Sequence, residues 1–371
     1  MKSLAFTYKL LLSFLCITLY ANPNIARDSD PNDSIVSKQS KKAKNIILLI
    51  GDGMGLSQIY SGIVANGSLN IEKFKNIGFQ KTYSAFDFIT DSGAGGTAIS
   101  TGTKTRNGAI AVDTAGKPIK TILEIAEQKG LSTGLVSTSA ITHATPASFI
   151  AHNINRNNYE QIAEDFLKTG IDVFIGGGKN HFNKRKDSID LCIKLIQKGY
   201  IVTDTITDII GINNGKLAGF TAKGHNPSIL DGRGEMLSLA TKTAINILDN
   251  NAKGFFLMVE GSQIDWGGHD NDTRRIAYEM IDFDKAIGIA LDFARKNGNT
   301  LVIVTADHET GGMTLNSGNI KEKTFEAVYT TKDHTGIMVP VFAFGPGSEK
   351  FNGIYQNTAI FYKMLESLKI K

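Results

Sequence analysis

The feature that most restricts this chain is a series of short apolar runs, several of them followed at once by glycine and by carboxylate or imidazole side chains. The runs are Ile46–Ile50, Ser132–Ser137, Val173–Ile175, Ile201–Thr203, Phe255–Val259, Thr300–Thr305 and Val339–Phe344. Most are near-continuous Val, Ile, Leu and Phe, the pattern of strands buried on both faces. Between them the apolar period becomes helical. Ile119–Gln128 and Tyr159–Lys168 end near Gly130 and Gly170, where a C-terminal glycine stops a helix. Glu235–Leu248 and Asn357–Leu368 are also helical in spacing. The clearest case is Thr273–Lys296, where Ile276, Met280, Phe283, Ile287, Leu291 and Ala294 form one stripe, with Asp272 as N-cap and Gly298 as stop. Strands alternating with helices predict an α/β fold, a large, mostly parallel central sheet sandwiched between helix layers. Ligands of such sheets collect beyond the carboxyl ends of the strands.

The chain has 371 residues with 42% hydrophobic and 20% charged, enough for a large core. A net charge of +4, with Lys and Arg scattered among acids, gives no reason for a nucleic-acid partner. Lys2 and Lys9 precede an apolar run, Leu10–Tyr20, that is too short to span a bilayer. We read residues 1–21 as a signal peptide cleaved near Ala21, which implies a periplasmic or secreted protein without a stable membrane partner. The alternative is an uncleaved anchor or a buried helix. Residues 22–43 read as a flexible polar lead-in, and 44–371 as one domain with no internal repeat. Of the two cysteines, Cys16 and Cys192, only the second survives cleavage, so the mature chain has no intrachain disulfide.

The residues after the strands carry the chemistry. Gly51-Asp52-Gly53-Met54-Gly55 follows the first run and alone reads as a turn. Ala306-Asp307-His308-Glu309-Thr310-Gly311-Gly312 follows Thr300–Thr305. On a regular strand Asp307 and His308 face opposite ways, so they converge only if the strand has already broken. Glu260, Asp265 and His269 follow Phe255–Val259, and the four-residue spacing of the last two suits one side of a helical turn or a tight loop. His334 precedes Val339–Phe344, and singly reads as structural or exposed. His143-Ala144-Thr145-Pro146-Ala147 reads equally as a capped turn with proline at the first helical position. Carboxylate plus imidazole suits zinc, and carboxylate plus hydroxyl suits magnesium. Ser92, in Thr90-Asp91-Ser92-Gly93-Ala94-Gly95-Gly96, is the candidate nucleophile, because a helix starting there would turn its free N–H groups toward an anion. Read alone, the same motif is a flexible Gly/Ser loop. Arg156 has a fork of donors that suits two phosphate oxygens, although a lone arginine read by itself is a surface residue.

Taken in order from Gly51 to Gly336, these stretches resemble the alkaline phosphatase family. The resemblance implies an alkaline phosphatase-like fold and hydrolysis of phosphate monoesters through a phosphorylated Ser92, with two Zn2+ and one Mg2+ per subunit. It implies one zinc on Asp265, His269 and His334 and a second on Asp52, Asp307 and His308. The magnesium falls to Asp52, Thr145 and Glu260, with His143 beside it, and Arg156 clamps the phosphoryl oxygens. His143 and Trp266 stand where the best-studied bacterial relative has Asp and Lys, so the outer shell of the third metal site differs. Relatives are often dimers, which makes a homodimer the expectation. A sister phosphodiesterase or sulfatase, or a non-catalytic metal binder, are the alternative readings.

Overall fold

A computed structural model describes residues 42–370 of the chain. The expected signal segment, and the lead-in up to residue 41, lie outside the described residues. Ala43, the last residue of that lead-in, is buried and donates its N–H to Ser367 O at 3.1 Å.

In chain order the strands are β1 (Asn45–Gly51), β2 (Asn76–Lys81), β3 (Ser132–Ala140), β4 (Val173–Gly177), β5 (Tyr200–Thr203), β6 (Lys216–Phe220) and β7 (Phe255–Gly261). They continue with β8 (Thr300–Thr305), β9 (Glu309–Thr310), β10 (Thr314–Asn319), β11 (Thr324–Val328), β12 (His334–Thr335), β13 (Val339–Phe344) and β14 (Gly353–Gln356). Ten of them form one sheet in the order β14-β2-β13-β8-β1-β7-β3-β4-β6-β5. All neighbours are parallel except β13, which runs antiparallel to both β2 and β8. The remaining strands make two small ribbons, β10 with β11 and β9 with β12.

β1 explains why the apolar runs are continuous. Ile46, Leu48 and Ile50 point into one buried cluster, and Ile47 and Leu49 into another on the opposite face. A strand covered on both sides has no polar face to alternate with. Each fully buried Ile or Leu stabilises the fold by roughly 1.5–3 kcal/mol relative to exposure, so a charge at Leu48 would break the centre of the sheet. The helix expected at Thr273–Lys296 spans Thr273–Asn297 and buries its whole predicted stripe. Asp272 caps it, accepting from the Arg275 N–H at 3.0 Å, and Gly298 closes it at φ 70°.

The seven expected strands are all present in the sheet. β2, β6 and β14 were not foreseen, because NIGFQK, KLAGF and GIYQ lack the continuous apolar character of the others. Pairing with β13, β4 and β2 recruits them, not their own propensity. The short helix at Ala144–Ala147 begins at His143 as N-cap, so Pro146 is its third residue, not its first. No helix among the described residues is long and apolar enough to cross a membrane.

Candidate active site

β1, β7 and β8 are adjacent, and their carboxyl ends deliver Asp52, Glu260 and the Ala306–His308 turn to one place. β8 stops at Thr305, which frees Asp307 and His308 from the alternation of a strand. After β7 the chain enters the helix Gln263–Asp270, so Asp265 and His269 stand one turn apart on it. β12 pairs His334 with Thr310 and thereby brings a distant histidine alongside the same turn. Ser92 is the first residue of the helix Ser92–Thr101, buried, with Asp91 as N-cap.

Two glycines let these elements close in. Gly53 has φ +71°, and a Cβ there would lie 2.7 Å from Asp265 Cα and 2.7 Å from Thr310 Oγ1. A Cβ at Gly95 would stand 3.0 Å from Asp307 Cβ, so a side chain there would push the nucleophile's helix off the Asp307 turn.

Three groups of ligand-type atoms result, each with all atoms within 4.8 Å of one another: Asp265, His308 and His334; Asp52, Asp307 and His308; and Asp52, His143 and Glu260. His269 joins the first, with its Nε2 3.4 Å from Asp265 Oδ2 and 3.2 Å from His334 Nε2. Thr145 is buried on the short helix next to His143. Ser92 Oγ lies 3.4 Å from His308 Nε2.

The hydrogen bonds show which atoms are left for a ligand. His269 Nδ1 faces Lys332 O at 2.5 Å, and His334 Nδ1 faces Thr90 O at 2.9 Å. Carbonyls only accept, so each Nδ1 carries a hydrogen and each Nε2 presents its lone pair in the neutral ring. Two such lone pairs 3.2 Å apart repel unless a cation or a proton sits between them. The carboxylates follow the same rule. Asp307 Oδ1 accepts from the Gly53 and His308 N–H groups at 3.3 and 3.0 Å, while Oδ2 has no hydrogen bond. Glu260 Oε2 accepts from Ser137 Oγ at 2.5 Å, while Oε1 has none. Both Asp52 oxygens, Thr145 Oγ1 and His143 Nδ1 are likewise buried without a hydrogen-bond partner. Unpaired buried polar atoms are costly, and their convergence marks a place built for cations.

The electrostatics agree. Burial, reinforced by Asp307, Asp265 and Glu260, pushes the Asp52 carboxyl well above the usual carboxylate range. Burial raises Glu260 to about 7, and burial with Asp265 raises Asp307 to about 6. Burial opposes the charge of Asp265 too, but the hydrogen bond from His269 and the nearby imidazoles outweigh it and hold this carboxyl low. Burial, together with His334, drives His308 well below the usual imidazole range. Burial, Arg156 and His225 lower His143 to about 3. Asp52, Glu260 and Asp307 thus resist ionising beside His143 and His308, which resist protonating, and these five groups form a donor set that lacks positive charge, whereas Asp265 is held ionised by the imidazoles around it. Arg156 borders this cluster. Its Nη1 donates to Asp91 Oδ2 at 2.8 Å, and its Nη2 is 3.5 Å from His143 Nε2.

Sequence reasoning quoted Asp91 only as part of a motif. In the structure it caps the Ser92 helix and pairs with Arg156. An acid directly before a predicted helix start was the available signal. Thr310, whose hydroxyl donates to Asp265 Oδ1, and Ser137, which holds Glu260, had no signal, since any polar residue at a strand end looks the same.

Comparison with known proteins fits this geometry. The sequence profile of the family described as alkaline phosphatase matches residues 43–328. Alkaline phosphatase 4 of Bacillus subtilis is 38% identical, aligned over 90% of this chain and 91% of its own. The alkaline phosphatase of Escherichia coli is 32% identical over 90% and 88%. The structure of the alkaline phosphatase from the Antarctic bacterium TAB5 superposes with a TM-score of 0.86 at 47% identity, covering 89% of this chain and 99% of that one. A histidine-to-aspartate mutant of the TAB5 enzyme was solved with Mg bound in its M3 site. By sequence and by fold, therefore, this chain belongs to the alkaline phosphatase family and is a phosphatase.

Proposed function

We propose that the chain hydrolyses phosphate monoesters to an alcohol and inorganic phosphate, with Ser92 Oγ as the nucleophile. The observation that carries this reading is the buried Ser92 hydroxyl at a helix N-terminus, facing a cluster of carboxylate and imidazole atoms that lack hydrogen bonds. Ser92 Oγ forms a bond to phosphorus as the ester oxygen leaves as the alcohol. Water then attacks the phosphoserine, releases phosphate and restores the hydroxyl. The helix N–H groups and the Arg156 fork hold the phosphoryl oxygens in line, which is most of what phosphoryl transfer asks of a protein.

The donor sets fit divalent cations. Asp265, His269 and His334 would hold one zinc, and Asp52, Asp307 and His308 a second. Asp52, Thr145 and Glu260 would hold a magnesium, with His143 at its edge. Cations bound there supply charge neutralisation and lower the pKa of hydroxyls they contact. Asp307 and Glu260 each keep one oxygen bonded within the protein and offer the other, so both ligands are pre-oriented. We also infer export from the Leu10–Tyr20 run, and a homodimer as the functional state.

The experiment is phosphate release from a simple aryl monoester, with metal analysis of the same protein. Ser92→Ala is expected to lose on the order of 10³-fold in turnover while keeping its metal. Full turnover in that variant rejects the nucleophile, and activity that survives exhaustive chelation rejects the metal scheme.

A further inference from the structure

Trp266 is the one tryptophan of the chain, and it lies on the helix that carries Asp265 and His269. Its ring is one of three that meet edge to face. The His225 ring lies 4.9 Å from it at 87°, and the His143 ring 6.2 Å at 88°. His143 and His225 are 5.5 Å apart at 85°. His143 Nε2 is in turn 3.5 Å from Arg156 Nη2. Edge-to-face contacts fix ring orientation, because the positive edge of one ring meets the negative face of the next.

His225 reaches this group from the loop between β6 and the helix Met236–Leu248. The Ala140 N–H donates to its Nδ1 at 3.0 Å. A backbone N–H only donates, so Nδ1 accepts and the neutral ring carries its proton on Nε2. The C=O of the same Ala140 accepts from the His143 N–H at 2.8 Å. One residue at the end of β3 thus links the two histidines. The loop around His225 is anchored. Asn226 O accepts from Gln263 Nε2 at 2.9 Å, from the helix of Trp266 itself. The Ile229 N–H donates to Glu279 Oε1 at 2.8 Å, and the Arg233 guanidinium donates to buried Glu279 and Asp282. His225 is exposed, yet its backbone is not free to drift.

We propose that His225 is a positioning residue, holding the Trp266 indole and the His143 ring in the arrangement that backs the Arg156 guanidinium. It sets the grip on the phosphoryl group without touching it. This rests on the reading of Arg156 as the phosphate clamp. Two variants separate the parts of the device. His225→Asn keeps a side-chain acceptor near the Ala140 N–H and removes the ring, whereas His225→Phe keeps a ring and leaves that N–H unpaired.

The test uses the metal-loaded full chain and reads Trp266 directly, by intrinsic fluorescence and the near-ultraviolet circular dichroism band of the lone indole. The expected result for His225→Asn is a changed indole band and emission. KM for an aryl phosphate and Kd for inorganic phosphate rise about threefold or more, while kcat stays within about twofold and metal content is unchanged. His225→Phe is expected to restore the indole band and part of the KM. Wild-type emission and KM in a folded His225→Asn overturn the proposal. So does an equal loss of kcat and Tm in both variants with an unaltered indole band, since that is a purely structural role. Arg156→Ala distinguishes the underlying reading. An unchanged KM there overturns the clamp itself, whereas a raised KM there with an unchanged KM in His225→Asn overturns only the positioning role.

Discussion

Arg156 Nη1 donates to Asp91 Oδ2 at 2.8 Å, and the other oxygen of that carboxylate caps the helix that begins at Ser92, accepting from the Ala94 N–H at 2.9 Å. Oδ2 also accepts from the Gly108 N–H at 2.9 Å. A single acid therefore fixes the proposed nucleophile's helix and the proposed phosphate clamp relative to each other. Asp91→Ala removes the cap, which costs about 1 kcal/mol and lowers Tm by about 2 °C for a chain of this size. It also frees Arg156, so KM for an aryl phosphate is expected to rise. Calorimetry and steady-state kinetics on one preparation check both parts.

Metal removal is expected to expose a pH dependence that the metal-loaded protein lacks. In the metal-free cluster the hydrogen bond to Asp265 is the main cause that raises His269 to about 9, against burial that opposes the charge. Glu260, raised to about 7 chiefly by burial, acts in the same sense. Both groups bind more protons folded than unfolded, so stability falls as pH rises. For His269 the contribution is full below about 6.5, the ordinary imidazole value, and is lost as pH climbs through about 9. His308 and His143 are lowered and stay neutral above pH 7 in both states. Urea unfolding of chelated protein from pH 6.5 to 9.5 should show a declining midpoint. A metal-loaded protein with the same decline contradicts the assignment of His269 as a ligand.

A second histidine gives a pH dependence independent of metal. His152 Nδ1 faces Ala111 O at 2.8 Å and its Nε2 faces Glu124 Oε1 at 3.2 Å, both acceptors. Burial opposes the charge, but the bonds to Glu124 and Ala111 and the fields of Glu124 and Asp165 outweigh it and raise the imidazole pKa. The stabilisation is fully present below about 6.5 and is lost as pH rises through the raised value. The Tm difference between wild type and His152→Ala is therefore expected to be larger at pH 5.5 than at pH 9.5. An equal difference at both ends shows that the ring acts by packing alone.

Arg233 forms a buried pair with Glu279 and a second with Asp282 at 2.9 Å, with side-chain exposures of 1%, 2% and 1%. Removing the one cation of this cluster leaves two buried carboxylates without compensation. Arg233→Ala is expected to destabilise by about 3–5 kcal/mol, read as a fall in the urea midpoint at an unchanged slope.

Much of this protein was legible before folding was considered. The β1 run Ile46–Ile50 is apolar throughout because both its faces are covered, and that continuity can be read directly. The stripe and caps of Thr273–Asn297 are equally local. β2 and β14 were not legible, because Asn76–Lys81 and Gly353–Gln356 become strands only by pairing at the sheet's edge. The helix Leu56–Asn66 was also missed. It starts from Gly55 without a side-chain cap, so the usual start signal is absent.

The amino-acid order alone determined which segments become strands at the centre of the sheet, and which residue types stand at their ends, because burial on two faces writes itself into local composition. Only the tertiary structure decided that His334 comes to Thr310, that Asp91 meets Arg156, and that His225 lies against Trp266. These pairs are separated by long stretches of chain, and their meeting depends on strand order and loop path. No local pattern carries that information, since the energy that fixes it comes from the packing of the whole sheet.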